Sequence, residues 1–118
     1  LTTFGIEIRQ AGNKYYIKGN QNYQAKDVTV EGDYSNTAFL DAFNHIGSEI
    51  DIQNLNINSL QGDRVYKDYF RQIADGMPTL DISDCPDLGP VLFALAAMKK
   101  GAVFTGTDRS VCPGSIFV

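Results

Sequence analysis

The stretch SDCPDLGP, residues 83–90, brings two carboxylates, a thiol, two prolines and a glycine together just ahead of the apolar run VLFALAAMKKG. Asp87 has the most chemical reach among them. Pro86 fixes the backbone before it and Gly89–Pro90 shape the turn after it. Its carboxylate therefore stands at the mouth of a strand–helix junction, the usual ligand crevice of α/β layers. There it can grip a substrate hydroxyl or accept its proton. The plainer alternative is a helix cap, since Asp at an N-cap holds first-turn amides for about 1 kcal/mol. Asp33, in EGDYSN, has the same placement before a helix and reads first as a cap.

Other chemistry is thinly supplied. His45 is the only histidine and lies on a helical pattern, so Ser, His and Asp are nowhere set out as a triad. Cys85 and Cys112 have neither CxxC spacing nor enough companions for the four ligands of zinc, and they read as reduced thiols of a cytoplasmic protein. Neither GxGxxG nor GxxxxGK[ST] occurs. A formal charge of −4 with scattered Lys and Arg leaves no basic stripe for a nucleic acid. Val91–Met98, the longest apolar stretch, falls far short of the ~20 residues of a membrane span. Leu1 begins in mid-pattern, without the basic start of a leader. The 43% apolar share supports a packed core for one domain or a piece of a larger one.

The elements that must position these residues alternate between strand and helix. FGIEIRQ and KYYIKG, separated by AGN, predict a hairpin, followed by the polar linker NQNYQ. DVTVEG predicts a strand. The helix after it carries Phe39, Leu40, Phe43 and Ile46 as its apolar stripe, Asp33 or Ser35 as its cap and Gly47 as its stop. EIDIQNL predicts a strand with Ile50 and Ile52 inward. SLQGDRVYKDYFRQIADG predicts a second helix with a stripe of Val65, Tyr66, Tyr69, Phe70 and Ile73. TLDIS, PVLFALAAMKK and GAVFTG then predict strand, helix and strand, with Pro90 in a permitted first-turn position.

An internal repeat runs through this pattern. Asp33 and Asp87 lie 54 positions apart (87 less 33), and the same offset pairs Asp27 with Asp81, Val28 with Ile82, Phe39 with Phe93, Ala42 with Ala96 and Gly47 with Gly101. The matches fall at strand end, acidic turn, helix and glycine stop, the positions that repeated units share. The fold class is α/β, with a sheet covered by helices.

VEGDYSNTAF (30–39), NSLQGDR (58–64) and DCPDLGPVLFALAAMKKG (84–101), in this order, resemble the EPSP synthase family, and FGIEI and YYIKGNQNYQ are similar to it as well. The resemblance runs from about residue 1 to 109. It implies repeated βαβαββ units, incomplete in this chain: residues 1–28 would end a first domain, 29–109 would start a second with two strand–helix repeats, and 110–118 is an unmatched tail. It implies a cytoplasmic transferase without metal or organic cofactor, moving the enolpyruvyl group of phosphoenolpyruvate to the 5-hydroxyl of shikimate 3-phosphate on the route to aromatic amino acids. By motif, Asp87 matches the cleft aspartate that contacts shikimate hydroxyls and is a candidate proton acceptor. Asp33 matches a cleft-lining acid. Ser59, Gln61 and Asp63 match a recurrent turn, in which Asp63 reads as the cap of the next helix.

Departures from the family are equally informative. Met77–Pro78 replaces a strand pair, and SVCPGSIFV stands where a KESDR-like motif is expected. The positive groups that would clamp two phosphorylated substrates are missing, so the expectation is a central fragment that is inactive alone. The related transferase acting on UDP-N-acetylglucosamine is disfavoured by EGD and CPD and by the lack of its reactive-cysteine loop. A reading of another class is a stand-alone interaction module that self-associates through Tyr15, Tyr16 and Phe117, using unpaired strand edges.

Overall fold

A computed structural model describes residues 1–107 and 116–118, with the backbone alone for 116 and 117. Two compact units divide the chain, Leu1–Val30 and Glu31–Val118. The expectations for Cys112 and for the side chain of Phe117 lie outside the described residues, as does most of the tail.

The first unit is an antiparallel hairpin of β1 (Ile8–Ala11) and β2 (Lys14–Ile17), paired from Ile8↔Ile17 to Ala11↔Lys14 around a two-residue turn. The first strand is shorter than its alternation predicts. Thr2–Phe4 form a 3-10 turn that ends in the left-handed conformation at Gly5, so extended structure begins only beyond it. Gln21, in the polar segment after the hairpin, receives the Glu7 amide at 2.7 Å and donates to the carbonyls of Glu7 and Lys18. That one side chain clasps the segment to β1. Every residue of β2 is exposed, including Tyr15 and Tyr16.

The second unit contains α1 (Tyr34–Asn44), α2 (Tyr66–Asp75), β3 (Thr79–Asp81), α3 (Gly89–Met98), β4 (Val103–Thr105) and β5 (Ile116–Phe117), with 3-10 turns at Gly62–Val65 and Pro86–Leu88. The sheet order is β3-β4-β5. β3 and β4 run parallel, joined through α3, and β5 closes antiparallel on β4. The three helices pack on one another around Tyr66, Phe70, Leu80, Leu88, Leu92 and Phe104. This is an α/β arrangement of helices with small sheets. Among the described residues no helix is long and apolar enough to cross a membrane.

α2 buries the face its sequence predicts, with Tyr66, Phe70 and Ile73 inward and Val65 and Tyr69 partly covered. α1 does not. Its buried residues are Tyr34, Thr37 and Ala38, while Phe39, Leu40, Phe43 and Ile46 are exposed, Phe43 by 51%. Two contacts set this rotation: the Tyr34 ring lies tilted against that of Tyr66, centres 6.3 Å apart, and its hydroxyl donates to the Asn56 carbonyl at 2.9 Å. Once Tyr34 is seated, positions three and four further on must follow it inward.

The strands expected at 27–32 and 49–55 do not form, although α1 and α3 start close to the 54-position offset and Gly47 and Gly101 both take positive φ, 110° and 89°. A single backbone bond, Gly32 N–H to the Asn54 carbonyl at 3.2 Å, stands where a ladder would run. Alternating side chains satisfy only one requirement of a strand; the other is a partner for each backbone group. Ile50 is exposed and Ile52 half-buried, so neither is the inward core residue expected. By contrast, Ala102 and Val118 exchange both backbone hydrogen bonds, at 2.9 and 3.1 Å, tying the end of the tail into the sheet.

Candidate functional site

Asp87 lies inside the 3-10 turn Pro86–Leu88, which runs directly into α3. The turn is anchored by its neighbours. Cys85 and Leu88 are buried, and their amides bond to the carbonyls of Ile82 and Cys85 at 3.2 and 3.1 Å. Asp87 itself is exposed, and its carboxylate has no hydrogen-bond or ionic partner among the described residues. The cap alternative therefore fails for it. α3 is entered through Leu88 with no side-chain cap, and the 3-10 turn before it supplies the carbonyls of Cys85 and Pro86 to the amides of Leu88 and Gly89.

Asp33 is the opposite case. Its carboxylate accepts from the Ser35 amide at 2.8 Å, the Asn36 amide at 3.4 Å and the Asn36 side-chain amide at 2.7 Å. It is the N-cap of α1, as its position predicts. Both acids thus precede helices that pack on each other, one with its oxygens engaged and one with them open.

Behind Asp33 the NSLQGDR segment forms a polar knot. Glu31 accepts from Ser59 Oγ at 2.6 Å, Asn56 Nδ2 at 2.8 Å and Gln61 Nε2 at 2.9 Å. Gln61 also donates to the Gly32 carbonyl and receives the Tyr34 amide at 2.9 Å. Asp63 does not cap α2. It takes the Ser35 hydroxyl of α1 instead, and α2 is entered through Val65 without a side-chain cap. Ser59 is buried. The knot fixes where α1 begins, and so where Asp33 stands. Glu31 and Asn56 escaped the sequence reading; the acid that opens EGD was the available signal, but its partners lie more than twenty positions away.

The donors on Glu31, Ser59 first and then Gln61 and Asn56, hold its carboxyl below the ordinary 4.5. A depressed carboxyl stabilises the fold above the unfolded value and loses that contribution as pH falls through the folded one. Glu31→Gln is therefore expected to loosen residues 56–61 at neutral pH and to match the wild type at the acid end. Hydrogen exchange of the Ser59 and Gln61 amides against pH reads this directly.

Cys85 is pushed up to about 11, first by burial and then by the nearby carboxylates of Asp63, Asp84 and Asp81. Against the ordinary 9.0, that leaves on the order of a hundredfold less thiolate at pH 8. In a Cys112→Ser background, an aromatic disulfide reagent is expected to label the folded chain at least about a hundredfold more slowly than the urea-unfolded chain. His45, the α1 C-cap, lies edge-on to Phe70 with ring centres 5.1 Å apart, and Tyr34 is only 2% exposed. Both serve packing.

Comparison with known proteins gives a consistent result. The family model for EPSP synthase (3-phosphoshikimate 1-carboxyvinyltransferase) matches residues 1–108. Proteins named 3-phosphoshikimate 1-carboxyvinyltransferase from Clostridioides difficile and Clostridium acetobutylicum are 39% and 35% identical, each over 86% of this chain and 27% of the relative. The one from Clostridium kluyveri is 36% identical over 86% of the chain. No solved structure matches. The chain spans a little over a quarter of the length of these curated relatives. On the family match across nearly all of its length, this chain belongs to the EPSP synthase family.

Proposed function

We propose that the chain is the central part of a 3-phosphoshikimate 1-carboxyvinyltransferase of aromatic amino-acid biosynthesis. The whole enzyme acts in the cytoplasm on shikimate 3-phosphate and phosphoenolpyruvate. The 5-hydroxyl oxygen of the first forms a bond to the enolpyruvyl carbon of the second, phosphate leaves, and the hydroxyl proton passes to a base. Asp87 contacts the shikimate hydroxyls and accepts that proton; Asp33 lines the cleft at the start of α1. Residues 1–28 end one domain and 29–109 begin the next, as two strand–helix members of a βαβαββ series.

The observation that carries this reading is the open Asp87 carboxylate on an anchored turn, within the CPD motif of a chain that belongs to the family. A base needs a free lone pair within hydrogen-bond reach of the proton it takes; three donors already occupy the Asp33 carboxylate, whereas among the described residues none engages that of Asp87. The positive clamps for two phosphorylated substrates must come from elsewhere, because this chain carries a net charge of −4. Phosphate release from the two substrates tests the reading. The isolated chain is expected to release none, and a full-length polypeptide containing it to release phosphate steadily. An inert full-length polypeptide, or turnover by the isolated chain, contradicts it.

A further inference from the structure

The turn that carries Asp87 is gripped from outside by three residues. Gly62 opens the 3-10 turn ahead of α2, and a Cβ built on it would stand 2.6 Å from the carbonyl oxygen of Asp84. That neighbour is backbone and cannot swing aside. Tyr69, on α2, donates its hydroxyl to the Asp81 carbonyl at 2.6 Å. Gly106, just beyond β4, approaches so closely that a Cβ there would stand 2.8 Å from the Ser83 amide nitrogen. Inside the turn the Asp81 carboxylate receives that same amide at 2.9 Å. All these contacts fall on residues 81–84, the approach to Cys85–Pro86–Asp87, and none engages the Asp87 side chain.

We infer that Gly62 and Tyr69 are positioning residues for the Asp87 carboxylate, an inference that rests on the assignment of Asp87 to the substrate. The glycine of the QGD motif is required by closeness: any side chain at 62 must push against the Asp84 carbonyl, and Asp87 follows three residues later on a rigid turn. Tyr69 holds the strand end from which the turn departs. A functional carboxylate has to be kept within about 0.5 Å of its productive place. A displacement of about 1 Å is enough to lose two orders of magnitude in rate. The clamp therefore sets function through Asp87 while touching neither substrate nor proton.

The test compares Gly62→Ala and Tyr69→Phe with Gly76→Ala, a control position where a Cβ meets nothing within 4 Å. Two readouts are taken: the side-chain carboxyl carbon resonance of Asp87 in the folded 118-residue chain without ligand, and the affinity of the full-length polypeptide for shikimate 3-phosphate. Gly62→Ala and Tyr69→Phe are expected to move the Asp87 resonance and to weaken binding about tenfold or more, leaving the amides of α1 in place; Gly76→Ala changes neither. An unmoved Asp87 resonance in both variants overturns the clamp, as does unchanged affinity where the wild type binds. If the wild type shows no binding, the substrate assignment has failed, and the ligand-free resonance alone decides whether the clamp exists. Should Gly62→Ala fail to fold, Tyr69→Phe, which removes one oxygen, decides in its place.

Discussion

Asp87→Asn is expected to lower kcat of the full-length transferase by about 10²–10⁴, the range for removing a general base, while KM for shikimate 3-phosphate changes far less. Asparagine keeps the shape and can still hydrogen-bond a hydroxyl, but it cannot take the proton. The same substitution should leave thermal stability unchanged, because the carboxylate makes no hydrogen bond within the described residues and its turn is held by Cys85 and Leu88. Asp33 provides the contrast. Asn is as good an N-cap as Asp, so Asp33→Asn leaves the melting temperature in place, whereas Asp33→Ala costs about 1 kcal/mol. Steady-state kinetics beside thermal melts separate the two acids: one substitution moves turnover without stability, the other stability through its cap. A drop in melting temperature for Asp87→Asn would mean that the carboxylate is structural after all.

Phe70→Ala is expected to have the largest effect on folding, about 3–5 kcal/mol. Phe70 is fully buried and joins two helices through its ring. Tyr66 meets it edge-on at 5.1 Å and His45, at the end of α1, meets it at the same separation. Truncation removes the bulk of an aromatic ring and both edge contacts, and leaves a cavity that the three helices can close only by shifting. A small domain has about 5–15 kcal/mol of stability in all, so this one substitution should bring the chain close to its unfolding midpoint at room temperature. Urea unfolding followed by far-ultraviolet circular dichroism measures it. A midpoint within a few tenths molar of the wild type would show that the helices do not depend on this ring.

Features decided within a few residues were legible in the sequence. α2 carries one unbroken apolar stripe and buries it; Asp33 caps the helix that follows it; Gly47 and Gly101 take the left-handed conformation expected of helix stops. The errors share one cause. α1 has more apolar residues than one face needs, and the choice between Phe39–Phe43 and Tyr34–Ala38 is made by Tyr66 and Asn56, distant in sequence. The segments at 27–32 and 49–55 alternate like strands but have no ladder to join. Asp87 was placed correctly at a junction, yet whether its oxygens would be used or open depends on the 3-10 turn that leads into α3. The Glu31 knot and the Gly62 contact are legible only in three dimensions, since each joins residues more than twenty positions apart.

The most direct test is an amide-resonance titration of the folded chain with shikimate 3-phosphate. Shifts confined to residues 84–90 that vanish in Asp87→Ala are the expected result, and they would place part of the substrate site on this segment. Shifts that leave residues 84–90 untouched, or shifts there that persist in Asp87→Ala, would contradict the role assigned to Asp87.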